Sequence, residues 1–532
     1  MNSTSTSWSR RARTFAAFAF AVASVGWSTV TLRGWLAERR DEPGADRFAR
    51  GDRGRGRGPE PDGPPAPTPI KALAALQSRS PVPDLTDRGL YDTTRIWTVH
   101  MRFTPDQWTA IEPQQTEAAD WPRGPDGRVQ LRNPAASRNG LAGVRGIEFG
   151  WVRATLEFED RTFEDAAVRY KGNGTYLRSQ RSMKRPFKAD LDKFAKGASL
   201  AGRKTLNFAN LAVDDSSMHD ALGYELFRAA GVPAPRTAYA RLFVTTNAVP
   251  PAYLGVYALV ENIDDDFAAV KFGTRKGIFF KPVTTGLFSD LGDDWSAYDR
   301  IYDPKTKPTS EQKARVIAFA KLLSHADDAT FAARAGDFID VDEFARFLSV
   351  MVLLSSYDGF LNNGQNFYLW LGPDPGRFQF LPWDLDNAWG KFGMTGSATD
   401  RAQASISHPW MGRHRLLERM MQVPAFQDRY RKVLQELMAT AFVPDRLHRR
   451  VDEMAALLRP ALAEESPRKL ARFETAVTAT RLEDATDRGG GGGRGGWNRS
   501  PHPLKWFITE RARSVAEQLA GRSEGVLIEG GW

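Results

Sequence analysis

The stretch YDGFLNNGQNFYLWLGPDPGRFQFLPWDLDNAWG, residues 357–390, decides how the chain is organised. Phe367 to Leu371 and Phe378 to Leu381 cluster apolar residues as short strands do, and the PDPG turn from Pro373 to Gly376 folds one onto the other. Strand reversal then brings Asp358 and Asn366 at one end close to Asp384 and Asp386 at the other. Three carboxylates and an amide at the mouth of a strand pair form an oxygen-donor set suited to a hard divalent cation. Taken singly, each aspartate reads as a helix cap or a turn residue. Taken together, two of them lie between Trp383 and Trp389 and an apolar helix delivers Asp358, which a solvated turn does not need.

Working outward, FIDVDEFARFLSVMVLLSS reads as the apolar helix ending at Tyr357-Asp358, and SEQKARVIAFAKLLS as an amphipathic helix before it. Downstream, RHRLLERMMQ, VPAFQDRYRKVLQELMATAF, PDRLHRRVDEMAALLRPALAEE and LKWFITERARSVAEQLAG continue the helical pattern. Upstream the pattern changes to strands. RIWTVHMRF alternates, and TPDQW opens a short helix with Thr104 as N-cap and Pro105 at its first position. WVRATLEFED and RTFEDAAVRYKGNG read as two strands joined at Glu159 to Thr162, and SMKRPFKADLD as a third. Asp215-Ser216-Ser217 caps a helix with Met218, Leu222, Leu226 and Phe227 on one face, ended by Gly231 and Pro233. Strands return in TAYARLFVTT, YLGVYALVENID and KGIFFKP. The expectation is an α+β protein of two lobes, strand-rich over 94–285 and helix-rich over 286–532, with a cleft between them.

Composition narrows the function classes. The net charge is +9, but residues 1–70 hold 11 Lys/Arg against 7 Asp/Glu, so only +5 belongs to the remainder. That balance does not point to nucleic acid as the main partner. Cysteine is absent, which excludes thiolate zinc sites and cysteine nucleophiles, and the 7 histidines form no HExxH-type pair. At the N-terminus Arg10, Arg11 and Arg13 precede an apolar run from Phe15 to about Leu32 containing Ala21-Val22-Ala23. Residues 1–35 therefore read as an export signal or a single membrane anchor, and length leaves both open. Residues 36–93 begin with an Arg/Gly/Pro-rich tract and read as a disordered linker, and Arg488 to Trp497 as a flexible glycine-rich loop.

A second constellation is basic. The KGNGT turn (Lys171, Gly172, Asn173, Gly174, Thr175) presents backbone N–H groups that can approach phosphate oxygens. Lys184 and Lys188 follow, spaced to face one side of a strand. Spacing alone is equally compatible with an ordinary hairpin and solvated lysines. Glu225 on the Met218–Phe227 helix is available to pair with a strand lysine, and Glu261 in ALVENIDDD stands where the two lobes would join.

The motifs RYKGNGTYL, KRPFKADLDKF, YLGVYALVENIDDDF, KGIFFKP, YDGFLNNGQNFYLW and FLPWDLDNAWG, in this order, resemble the CotH (spore-coat protein H) kinase family over about Ile96 to Gly390. The closing LKWFITERARSVAEQLAG is also typical of it. The resemblance implies an atypical protein-kinase-like fold using ATP and Mg²⁺ or Mn²⁺ to phosphorylate Ser or Thr of an exported or envelope protein. On matched positions, Lys188 would contact the ATP phosphates with Glu225 as its helix partner. Lys171, Gly172, Asn173, Gly174, Glu261 and Lys281 would complete the nucleotide site. Asp358 would accept the substrate hydroxyl proton. Asp384 and Asp386 would hold metal with Asn366, for which Asn363, five residues after Asp358, is the rival.

The chain departs from an ordinary kinase in lacking GxGxxGxV, HRD and DFG, and Gln365 stands where the family often has His. These departures put rate and substrate in question. Two other functions use the same features. One is a non-catalytic envelope or coat assembly module that keeps the fold. The other is a metal-dependent hydrolase or carbohydrate-active enzyme working through the acidic set.

Overall fold

A computed structural model describes residues 70–118, 131–246, 251–485 and 501–529, apart from single positions 78, 80, 134 and 374. The expected export segment and the Arg488–Trp497 loop lie outside the described residues. Seven strands close into a barrel: β1 (Ile96–Phe103), β2 (Val152–Phe158), β3 (Arg161–Tyr170), β4 (Phe187–Asp190), β5 (Thr205–Ala209), β6 (Thr237–Thr246) and β7 (Ala252–Val260). Neighbours run β1-β2-β3-β4-β5-β7-β6. All pairs are antiparallel except the closing one, in which β1 lies parallel to β6 with Ile96 opposite Tyr239. The four strands read between residues 94 and 195 do not form a sheet of their own. The later strands β6 and β7 join them, so the sheet has no open edge.

Alternation shows which face is inside. Trp97, Val99 and Met101 on β1, Val168 and Tyr170 on β3, Phe187 and Ala189 on β4, and Leu206 and Phe208 on β5 fill the barrel. Their neighbours Arg169, Lys188 and Asn207 therefore stand on the outer face, in register across β3, β4 and β5. β6 and β7 are buried on both faces, because Tyr239, Val256, Ala258 and Val260 turn outward into a second apolar core. That double burial explains the nearly unbroken apolar runs TAYARLFV and YLGVYALV.

The second core gathers helices α2 (His219–Ala229), α3 (Asp265–Phe272), α4 (Ser310–His325), α5 (Val341–Leu353), α6 (Pro424–Thr440), α7 (Pro444–Glu465), α8 (Pro467–Thr478) and α9 (Leu504–Leu519). α1 (Gly174–Ser179) is a short helix between β3 and β4. α5 is apolar on nearly every side, with its residues from Phe347 to Leu353 all buried. It is capped by Asp340, whose side chain accepts from the Glu343 N–H at 3.2 Å. A second sheet of three strands, β8 (Ile278–Phe280), β9 (Phe367–Leu371) and β10 (Phe378–Pro382), lies against it. β9 and β10 are the hairpin read from the sequence, with Phe367 opposite Pro382. The expected dividing line at residue 285 leaves β8 with the strand-rich part, yet β8 pairs with β9 of the second sheet.

Residues 70–93, placed within the linker by composition, carry helices Ile70–Gln77 and Asp87–Leu90. Asp87 binds Arg203 (2.5 and 2.8 Å) and Arg236 (2.9 Å), and Leu90 is buried in the barrel core. Among the described residues no helix is long and apolar enough to cross a membrane.

Candidate active site

α5 ends at Leu353, and the chain then makes the loop that carries Asp358. That carboxylate is held by three side-chain amides. Asn363 Nδ2 and Gln365 Nε2 donate to Oδ1 at 2.8 and 3.2 Å, and Asn387 Nδ2 donates to Oδ2 at 2.8 Å. Asn366 Nδ2 donates instead to the Asp358 carbonyl at 2.6 Å, and the Asn366 carbonyl accepts the Trp383 N–H at 3.2 Å. Asn366 and Asp384 both have left-handed backbone angles, φ 59° and 56°. Non-glycine residues hold such angles where the surroundings fix them, commonly at functional sites.

α2 does the fixing for the second half of the loop. Tyr224 Oη accepts the Asp384 N–H at 2.9 Å and Asp220 Oδ1 accepts the Leu385 N–H at 2.7 Å. His219 Nδ1 bonds the Asp386 carbonyl at 2.9 Å, and Trp389 Nε1 donates to the His219 carbonyl at 3.1 Å. Gly223 lies between these contacts, where an added Cβ would come within 2.7 Å of Leu385 Cδ1 and push that side chain aside. The hairpin reversal thus brings Asp358, Asn366, Asp384 and Asp386 together. Asn387 bridges the two ends, donating to Asp386 Oδ1 at 3.2 Å as well as to Asp358.

The electrostatics are those of crowded buried acids. Burial, then Asp384, Asp220 and Asp358, push the Asp386 carboxyl well above the usual range. Burial, with Asp384 beside it, raises Asp220 to about 7. Asp358 is raised by burial and by Asp384, with its amide donors opposing. Two lysines face this set. Lys171 Nζ lies 5.3 Å from the Trp383 ring centre, and Lys281 Nζ lies 5.4 Å from both Trp383 and Tyr368. Burial and Lys305 bring Lys281 down to about 7, with Asp384 pulling the other way.

Among the described residues no three acidic or imidazole side chains already converge as a metal cage. The donor set nevertheless fits a small hard cation. Mg²⁺ commonly takes one or two carboxylates and keeps several waters, so a closed protein cage is not required. Asn363 supplies a further sign, because its Oδ1 is buried and without a hydrogen-bond partner.

Two expected nucleotide contacts, Glu225 and Glu261, and the strand-face lysine Lys184 are placed elsewhere. Glu225 does not meet Lys188. It lies one residue round the helix from Tyr224, and forms an ion pair with Arg450 of α7 at 2.7 and 3.0 Å. Glu261 is fully buried against Arg236 and Arg203, within the group that anchors Asp87. Lys184 binds Glu465 of α7, so it does not share a face with Lys188. Lys188 itself stays on the outer barrel face, donating to Asn262 Oδ1 at 3.4 Å, and burial with Arg169 and Lys171 nearby lowers it to about 8. The KGNGT turn exists, with Gly172 at φ 88°. It leads into α1 and not directly into a hairpin strand. Sequence reading missed His219, Asp220, Tyr224 and Asn387. The spacing of Asp220 and Tyr224, four apart on one helix face, was the available signal.

Residues 168–515 match the sequence model of the family described as CotH kinase protein. Among curated proteins, "Inner spore coat protein H" of Bacillus subtilis (strain 168) is 24% identical over 250 residues, covering 46% of this chain. The match covers 66% of that relative's length, just short of two thirds. Because the family match takes in most of the chain, including every residue of the acidic set, the chain belongs to the CotH kinase protein family.

Proposed function

We propose that the chain is an atypical protein kinase, in which the barrel and the helical core act as two lobes around the acidic loop. It would transfer the γ-phosphoryl group of ATP to a Ser or Thr hydroxyl of an exported or envelope protein. The observation that carries this reading is the set of Asp220 and Asp386, both buried, with the partly exposed Asp358 and Asp384, facing Lys171 and Lys281. Phosphoryl transfer asks for that combination, namely charge neutralisation and positioning with one base. Asp384 and Asp386 would hold Mg²⁺ or Mn²⁺ with Asn366 or its rival Asn363; each uses Nδ2 on Asp358, and the Oδ1 of Asn363 is buried without a hydrogen-bond partner. The ion, when bound, neutralises phosphate charge.

Asp358 serves as the base. Its raised affinity for protons suits accepting one from the attacking hydroxyl, and its amide donors keep it in one orientation. As the hydroxyl oxygen bonds to the γ-phosphorus, the bond to the β–γ bridging oxygen breaks and ADP leaves. Lys171, Lys281 and Lys188 offer positive charge to the phosphates. The test is transfer of labelled γ-phosphate with Mg²⁺ or Mn²⁺. We expect Asp384→Ala to abolish transfer and Asp358→Asn to lower it about 10²- to 10⁴-fold. The name of the relative favours a second reading, a coat or envelope assembly module without catalysis. A wild-type chain that neither binds ATP nor phosphorylates itself with either ion would establish that reading instead. Protease accessibility on intact cells tests the extracytoplasmic placement.

A further inference from the structure

We propose that Arg138, carried by a segment that precedes the family-matched residues, is a positioning residue for the phosphate-binding turn Lys171–Thr175. The inference rests on the nucleotide reading above and extends the site beyond the matched residues 168–515. Arg138 Nη2 donates to the Gly172 carbonyl at 2.7 Å and to Asn173 Oδ1 at 3.2 Å. The Ala142 N–H reaches the same Oδ1 at 3.3 Å. The segment comes as close to the turn as backbone allows. Gly140 sits at φ 91°, and a Cβ there would meet Asn173 Nδ2 at 2.4 Å. The guanidinium lies 4.5 Å from the Phe149 ring centre. The segment is itself tied down, with Asn139 Nδ2 donating to the Arg300 carbonyl at 2.7 Å and Arg300 Nη2 to the Asn133 carbonyl at 3.0 Å.

The charges around the turn say what it is held ready for. Arg169 stands directly opposite Lys188 on the outer face of β3 and β4, an arrangement that like charges disfavour. Lys171 follows two residues after Arg169. Among the described residues none of Arg138, Arg169, Lys171 and Lys188 has a carboxylate within ion-pair distance. Arg138 Nη1 is buried with no hydrogen-bond partner. Four cations with no carboxylate in direct contact, beside a glycine turn, make a site for a polyphosphate. Arg138 acts on it through the turn, Nη2 holding both the Gly172 carbonyl and the Asn173 side chain while the planar guanidinium lies against the Phe149 ring, a stacked placement that a lysine does not reproduce.

The experiment is direct titration of the full chain with Mg·ATP, with tripolyphosphate and with adenosine. Wild type is compared with Arg138→Lys, Arg138→Ala, Asn173→Ala and the Arg138→Lys/Asn173→Ala pair, with a thermal melt for each. We expect both Arg138 variants to weaken ATP and tripolyphosphate about tenfold or more. Adenosine affinity should be unchanged, and the pair should cost less than the sum of its parts. Equal loss for adenosine and ATP, or no loss in Arg138→Lys, overturns the proposal while leaving the kinase reading intact. Should Arg138→Ala fail to fold, Arg138→Lys decides. If wild type binds neither ATP nor tripolyphosphate, both readings fall.

Discussion

Asp358, Asn363 and Asn366 show how far single residues could be read in advance. The sequence brought all three to one loop, because a hairpin of known turn type has predictable ends. It could not choose between the two asparagines, and both donate Nδ2 to Asp358, one to its carboxylate and one to its carbonyl. Lys188 and Glu225 were harder still. A strand lysine and a helix glutamate each have a definite face, but which faces meet is set by packing: Glu225 meets Arg450 of α7, and Lys188 meets Asn262. Lys281 gives a test at this scale. Its pKa of about 7 leaves it charged at pH 6 and mostly neutral at pH 8.5 in the free protein. We expect ATP affinity to fall across pH 7 in wild type. Lys281→Arg, which stays charged, should show a fall only near pH 8, where Lys188 titrates. A binding constant flat between pH 6 and 8 in wild type would remove Lys281 from the phosphate contacts.

Among the elements, α2 and α5 hold the loop from opposite sides. Both helices were legible from their apolar spacing, although α2 starts after Met218 with no side-chain cap where Asp215-Ser216-Ser217 was expected to supply one, and so were the hairpin and most barrel strands, because each buries a regular face. Barrel closure was not legible, since period-2 alternation does not say which strands become neighbours. α2 supports the Asp384 backbone through Tyr224. Tyr224→Phe leaves that N–H without its acceptor, a cost of about 1–3 kcal/mol. Mn²⁺ affinity measured by electron paramagnetic resonance should weaken about tenfold, with far less change in ATP affinity without metal. α5 carries a different strain. Glu343 is buried, accepts the Phe380 N–H at 3.0 Å through Oε2, and has no partner for Oε1. Burial raises its pKa well above the ordinary 4.5. A raised acid contributes stability in full below its unfolded value and loses it as pH climbs toward the folded one. Wild-type melting temperature should therefore decline from about pH 4.5 upward relative to Glu343→Gln, whose amide never ionises. Parallel melting curves for the two proteins from pH 4.5 to 8 would rule out a buried neutral Glu343.

The whole molecule depends on residues that lie before the barrel. Asp87 joins Arg203 and Arg236, which also hold the buried Glu261, and the Leu90 carbonyl accepts from Trp97 Nε1 at 2.9 Å. A chain beginning at Ile70 should melt like one of full length. Replacing Asp87 by Ala should cost about 1–3 kcal/mol, less than for a fully buried pair because Asp87 is partly exposed. Calorimetry on both distinguishes an anchored segment from a linker. Barrel closure has a consequence for how the protein is made. β1 is complete once residue 103 has left the ribosome, yet its parallel partner β6 ends at residue 246 and β6 needs β7 beside it. At roughly 5–20 residues per second, the growing chain spends several seconds or more with β1 unpaired on that side. Pairings between such distant segments also form slowly. An export route that keeps the chain extended until synthesis ends, or a chaperone that covers β1 during it, would spare the protein that exposure.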